Sequence, residues 1–290
     1  MRHGSKYRFC REGEWSLWVF ADRWSQGLWE EVLHQLNKQA PAHRPQTERF
    51  HYLSGENGDE FYLKIYHRSA FLGTLKDLFR DSKAFRALKQ GEALSERGFH
   101  VPLTIAAGEE RNFRLLKRAF LLTLGIRGVP LHLFLREHFL PPLDLGGLRR
   151  KREYLERLAL ETRRLHRHGF VHGDLVPSNI LVQAGEGGIT FFYMDNDRTR
   201  HYPLQSPHFL MRRNLVQLNR FTLTGISLQD RMRFLRFYLG QKSWGERERR
   251  WVRWLEDRTR KRRQEYERIE AKVSFRELMR WNGPFTRDIQ

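Results

Sequence analysis

The clearest periodicity in the chain runs from Tyr154 to Gly169. Leu155, Leu158, Ala159, Thr162 and Leu165 recur at the spacing of one buried helical stripe, with Arg and Glu between them. The spacing predicts a helix that Gly169 ends. Short apolar runs follow, Phe170-Val171 and Ile180-Leu181-Val182, read as strands on either side of a polar loop. Ile189 to Met194 predicts a further strand, folded back through the turn A-G-E-G-G. Beyond Pro207 the pattern reads as helix throughout, past Leu215, Leu218 and Phe221 to a basic segment ending near Ile269.

Upstream the periodicity is shorter. Phe61 to Tyr66 is a β-type run after the turn-like S-G-E-N-G-D, which predicts a hairpin arm, and a strand pair is expected before it around Thr47–Leu53. Ser82 to Arg97 predicts a helix stopped by Gly98, and Leu115 to Thr123 a buried strand. In residues 1–50 Trp15, Trp18, Phe20, Trp24 and Trp29 lie scattered among charges, then P-A-H-R-P reads as loop. The expected fold is therefore α+β in two lobes. A β-rich N-lobe would span 1–124 and a mainly helical C-lobe 125–290, with a hinge near Leu124–Pro130.

Composition narrows this picture. A 290-residue chain with 40% hydrophobic residues can bury a sizeable core. No apolar run approaches the length of a membrane span, and the charged start lacks the apolar segment of a signal peptide. A single cysteine, Cys10, cannot form an intramolecular disulfide and fits a reducing compartment. The net charge of +19 calls for an anionic partner: nucleic acid, a phosphorylated substrate or an acidic membrane surface.

Candidate chemistry concentrates in V-H-G-D-L-V-P-S-N-I-L-V, Val171 to Val182. One loop carries a carboxylate, Asp174, and a carboxamide, Asn179. Phosphoryl transfer requires a carboxylate beside the incoming hydroxyl and oxygen ligands for Mg²⁺. Farther on, M-D-N-D-R places Asp195 at the end of an apolar strand, where a carboxylate suits a metal bridging nucleotide phosphates. Asp197 would either join that metal site or pair with Arg198. The basic runs Arg149–Arg152 and Arg258–Arg263 read by default as solvated helix faces; the alternative is contact with an anionic membrane.

The ordered set of helix, H-G-D-x-x-x-x-N, hairpin and Asp resembles the catalytic loop and metal-binding Asp of protein-kinase-like enzymes. More narrowly, H-G-D-L-V-P-S-N-I-L-V, F-F-Y-M-D-N-D-R and the later N-L-V-Q-L-N-R-F are similar to the lipopolysaccharide kinase family, which includes the Kdo kinases. The resemblance covers roughly residues 60–222. It implies ATP and Mg²⁺ as cofactors, Asp174 as catalytic base, and Asn179 and Asp195 as metal ligands. Lys64 corresponds to the lysine that contacts the nucleotide phosphates. Glu92, with Glu96 in reserve, is the candidate for its carboxylate partner. Leu121 to Gly125, centred for binding purposes on Leu124, resembles the hinge whose backbone receives adenine. His172 would brace the loop rather than move protons.

Two departures from the pattern stand out. Asn196 occupies the position where the family carries Phe, which removes an apolar anchor from the metal-binding turn. A G-x-G-x-x-G loop is absent, and Gly55 and Gly58 read as a hairpin turn. No A-P-E follows Asp195, so the acceptor is expected to be a small molecule, a sugar or a lipid rather than a peptide. The resemblance implies a sugar hydroxyl of the lipid A–Kdo or inner-core region, and a cytoplasmic enzyme peripheral to the inner membrane. A non-catalytic scaffold and a nucleic-acid-binding protein are the rival classes. Lys64, Asp174, Asn179 and Asp195 count against the first, and no nucleic-acid-binding module supports the second.

Overall fold

The computed structural model describes residues 6–38, 47–53, 59–67, 80–112, 115–185, 188–223, 225–240 and 245–280. Six strands form one antiparallel sheet: β1 (Tyr7–Glu12), β2 (Trp15–Phe20), β3 (Thr47–Leu53), β4 (Glu60–His67), β5 (Thr104–Asn112) and β6 (Leu115–Leu124). Their spatial order is β1-β2-β5-β6-β4-β3. The expected hairpin arm is β3 and β4, paired from Thr47↔Tyr66 to Leu53↔Glu60. Gly55 and Gly58 of its turn lie outside the described residues.

Alternation along β4 decides what each sheet face meets. Phe61, Leu63 and Ile65 point to one face, where α1 (Gln26–Asn37) lays Trp29, Val32 and Leu36 on them together with Trp15, Leu17, Phe120 and Leu122. Two of the tryptophans that looked scattered in sequence, Trp15 and Trp29, are thus core residues, each packed against Phe120, while Trp18 and Trp24 are partly buried beside the core. Tyr66 lies on the opposite face, packed with Ala107 and Ala119 against Ala84, Phe85 and Leu88 of α2 (Lys83–Ser95). By the same alternation Lys64 faces that side. Ser82 caps α2 by accepting the Phe85 N–H, and the chain turns at Gly98 with φ +72°.

The second part holds α3 (Leu131–His138), α4 (Leu145–Arg167), α5 (His208–Leu218), α6 (Leu228–Leu239) and α7 (Glu246–Arg280). Helix α4 begins nine residues before the predicted Tyr154. G-G-L-R-R-K-R carries no apolar stripe, and the start is fixed instead by Asp144, whose Oδ1 accepts the Gly147 N–H at 2.6 Å. The stretch beyond Pro207 is not one helix. It breaks before Gly225, at φ +86°, and again at Gly240, at φ +69°, which gives three helices. Among them Leu215, Leu235 and Tyr238 bury against Ala159 of α4.

Five short strands lie among these helices in the chain: β7 (Val129–Pro130), β8 (Phe170–Val171), β9 (Ile180–Gly185), β10 (Gly188–Tyr193) and β11 (Arg200–His201). β9 pairs with β10 in the predicted hairpin and with β7, while β8 pairs with β11. A parallel bridge from His100 to Phe192 ties the end of the α2 segment to β10.

Candidate active site

The loop Val171–Asn179 is held by hydrogen bonds to its backbone, and the Asp174 carboxylate is not among the groups that hold it. Asn179 Nδ2 donates to the Asp174 carbonyl at 3.0 Å, and the Met194 N–H donates to the Asn179 carbonyl at 2.9 Å. Three oxygen-bearing residues are thereby connected: Asp174, Asn179 and, one residue past Met194, Asp195. Because Nδ2 of Asn179 is spent on the loop, its Oδ1 remains the acceptor available to a cation. Asp195 takes the left-handed conformation, φ 60° and ψ 51°, the only non-glycine among the described residues to do so. Asp is among the few residues that tolerate this backbone.

Lys64 crosses from the sheet to this turn. Its Nζ pairs with Asp195 Oδ1, both side chains being mostly buried at 16% and 22% exposure, and lies 4.9 Å from the Tyr66 ring centroid. Glu92 does not join them. Its carboxylate instead receives the Tyr7 hydroxyl, 3.2 Å away, which also reaches the Thr104 carbonyl at 2.9 Å. The Leu124 N–H is engaged too, donating to the Leu103 carbonyl at 2.8 Å, and the Gly125 N–H donates to the Glu60 carbonyl at 2.6 Å. Adenine recognition by these two amides would have to displace those bonds.

The turn Asp195–Arg198 answers the question raised by Asn196. Its side chain is buried, yet Nδ2 donates to the Tyr193 carbonyl at 2.9 Å and Oδ1 lies 3.2 Å from the Thr199 hydroxyl. Hydrogen bonds replace the apolar anchor. Asp197 forms no ion pair with Arg198. Only 9% exposed, its carboxyl is pushed above the usual range by burial and by the charge of Asp195, against the pull of Lys64, Lys83 and Arg198. α2 packs on this turn, which brings Lys83 to it.

Sequence reasoning missed the polar network beneath the loop. His172 Nε2 donates to the Met194 carbonyl at 2.8 Å, and burial holds its imidazole neutral by lowering the pKa. The His172 backbone N–H donates to Asn214 Oδ1 at 3.1 Å, which also accepts from His166 Nε2 at 3.1 Å. The Tyr238 hydroxyl donates to His166 Nδ1 at 2.8 Å. Asn214 Nδ2 donates to Gln217 Oε1, which takes the Leu175 N–H as well, while Gln217 Nε2 donates to the Gly173 carbonyl at 2.8 Å. Burial lowers the His166 pKa to about 4, so it too is neutral. Polar residues three apart on α5, between buried and half-buried leucines, were the available signal for Asn214 and Gln217.

Two glycines bring the following segment against this loop. Gly173 sits at φ +78°, where a Cβ would stand 2.4 Å from the Arg198 carbonyl oxygen. Gly169 sits at φ +80°, where a Cβ would stand 2.1 Å from the Tyr202 carbonyl oxygen. No L side chain fits either place without displacing backbone.

The basic run on α7 is largely occupied. Arg260 pairs with Glu256, Lys261 with Asp257 and Arg262 with Glu265, all within the helix. Arg263 donates to the carbonyls of Asn219, Arg220 and Phe221 and so caps the end of α5.

Helices and an antiparallel sheet arranged about such a loop fit the kinase-like class of folds. A sequence model of the lipopolysaccharide kinase (Kdo/WaaP) family matches residues 33–238, and the chain belongs to that family. A solved structure described as WaaP in complex with acyl carrier protein has a similar fold. It matches with a TM-score of 0.58 and 20% identity over 80% of this chain and 91% of that one. A search of the curated proteins found no match.

Proposed function

We propose that the chain transfers the γ-phosphate of ATP to a sugar hydroxyl of a lipopolysaccharide precursor, in the Kdo or inner-core region. Membership of a lipopolysaccharide kinase family supports phosphotransfer. The observation that carries the reading further is the hydrogen-bonded chain from Asp174 through Asn179 to Met194, which ends on the Asp195–Lys64 pair.

In this reading residues 1–124 form the nucleotide-binding lobe and residues 125–290 the catalytic and acceptor-binding lobe. Asp174, whose carboxylate takes part in no hydrogen bond among the described residues, orients the acceptor hydroxyl and takes its proton. Asn179 Oδ1 and the Asp195 carboxylate are hard oxygen donors of the type Mg²⁺ selects. No cluster of three or more His, Cys, Asp or Glu suited to a metal occurs among the described residues. Part of the Mg²⁺ shell would thus come from phosphate and water oxygens, as is usual for this cation. Mg²⁺ would neutralise charge on the phosphates being transferred. Lys64 leaves Asp195 for the nucleotide phosphates, and the neutral His172 keeps the loop in register.

The +19 charge and an amphiphilic acceptor support work at the anionic surface of the inner membrane, from the cytoplasmic side. No described helix is long and apolar enough to cross a membrane. The WaaP neighbour was solved with acyl carrier protein, which makes that protein a candidate partner here. Incubation of lipid A–Kdo with ATP, Mg²⁺ and the purified protein should add one phosphate, read by mass spectrometry. An unmodified acceptor, with core-extended acceptors equally unmodified, would remove the reading.

A further inference from the structure

Between Asp197 and Asp230 the chain carries no acidic residue, yet it holds Arg198, Arg200, Arg212, Arg213 and Arg220. Arg198, Arg200 and Arg213 are exposed and form no ion pair among the described residues, unlike Arg260, Lys261 and Arg262 on α7. In the middle of this stretch Leu204 is fully exposed and Phe209 is 70% exposed. A lone exposed leucine needs no explanation, but two large exposed apolar side chains within six residues, flanked in sequence by exposed arginines, make an amphiphilic segment.

The segment is held to β8 and the glycine before it. β11 pairs with β8, the Tyr202 N–H donates to the Gly169 carbonyl at 2.8 Å, and the buried Ser206 hydroxyl donates to the Phe170 carbonyl at 3.4 Å. Leu204 stands between these last two anchors. Both hold to β8 or the glycine before it, and β8 ends three residues before Asp174. The segment is therefore tied to the strand that leads into the loop carrying Asp174.

We infer that the segment Arg198–Arg213 docks the protein on an anionic bilayer, with Leu204 and Phe209 entering the interface and Arg200 and Arg213 meeting lipid phosphates. The inference deepens the proposed glycolipid reading and rests on it, because an acceptor sugar anchored in the bilayer must meet Asp174 at a set height. Unpaired arginines and apolar side chains together match the headgroup–acyl boundary better than either would alone. The run of charges on α7 offers less, since those side chains already have partners and Arg263 is committed to α5.

The test uses vesicles of phosphatidylethanolamine with about a quarter phosphatidylglycerol, against phosphatidylcholine vesicles. The intact chain should sediment with the first and stay in solution with the second. Leu204→Asp with Phe209→Asp should weaken partitioning about tenfold or more. Arg200→Glu with Arg213→Glu should weaken it and flatten its salt dependence. Unchanged partitioning of both double variants overturns the inference. A second measurement does not depend on either pair folding well: Leu204→Cys in a Cys10→Ser chain, labelled with an environment-sensitive dye. Its emission should shift to the blue with the phosphatidylglycerol vesicles alone. Equal emission with both lipids overturns bilayer docking, as does a shift produced by acyl carrier protein and not by vesicles. No arm contains ATP or acceptor. Failure here leaves the phosphotransferase reading standing, and failed phosphorylation of a de-acylated acceptor sugar leaves the docking standing.

Discussion

The loop under Asp174 and the sheet around Lys64 are assembled to different degrees. In the helical part Tyr238, His166, Asn214 and Gln217 reach the backbone of His172, Gly173 and Leu175 in one continuous series of hydrogen bonds. Around the sheet Lys64 is bound to Asp195, Glu92 of α2 to Tyr7, and the Leu124 amide to Leu103. In the proposed reading the first region is preorganised for an acceptor, and the second exchanges partners before it serves a nucleotide. Preorganisation contributes to catalysis where charge and protons move, while exchangeable contacts suit a ligand that enters and leaves.

The comparison is most sharply tested at Asp174. Asp174→Asn should lower kcat about a hundredfold or more and leave Mg²⁺–ATP affinity nearly intact, because only the carboxylate changes and the loop is held through backbone. Single-turnover kinetics with nucleotide titration decide it, and turnover at the original rate would take Asp174 out of the mechanism. Asp195→Asn comes next. Asn keeps the left-handed backbone but loses the charge, so Mg²⁺–ATP affinity should fall about tenfold or more. Asp197→Ala should do less; the reverse order would move the metal ligand two residues along.

Gln217→Leu tests the brace itself. It strands the Leu175 N–H and the Gly173 carbonyl, at about 1–3 kcal/mol for each buried unsatisfied group. Melting temperature and kcat should both fall, with KM for ATP held. A loss confined to KM would show that the brace serves the nucleotide instead.

Acid should loosen the same region. His166 has its folded pKa depressed to about 4 from 6.5, so protons favour the unfolded chain. The stability it contributes is complete above about pH 6.5 and is lost as pH falls towards 4, on the order of 3 kcal/mol if fully realised. Denaturant midpoints should therefore drop across that window, and His166→Gln should flatten the drop. The smallest effect is expected at Glu92. Glu92→Gln should leave kcat/KM for ATP nearly unchanged if Tyr7 remains its partner during turnover, and a large loss would show that the sheet side recruits it.

Much of this arrangement was legible in sequence wherever period or spacing carried it. The Leu155–Leu165 stripe, the β9–β10 hairpin and the H-G-D-x-x-x-x-N loop all follow from local pattern. What escaped were contacts set by tertiary packing. The Trp15 and Trp29 side chains meet only when α1 folds across the sheet, and no sequence period joins them. Glu92 lay on the expected helix, but its orientation depends on Tyr7, which is 85 residues away. The break at Gly240 was hidden because the helices on both sides share similar composition. Asn196 looked like a lost apolar anchor because residue type alone does not show that the Tyr193 carbonyl and the Thr199 hydroxyl await it.

The two glycines behind the loop carry a consequence for how such a protein can diversify. Gly169 and Gly173 press the loop against Tyr202 and Arg198 with no space for a methyl group. The loop and the segment Arg198–Tyr202 are thereby inherited as one casting, and drift in either is visible to selection at once. Variation in which sugar is served has to accumulate outside that casting, on surfaces whose residues can change one at a time.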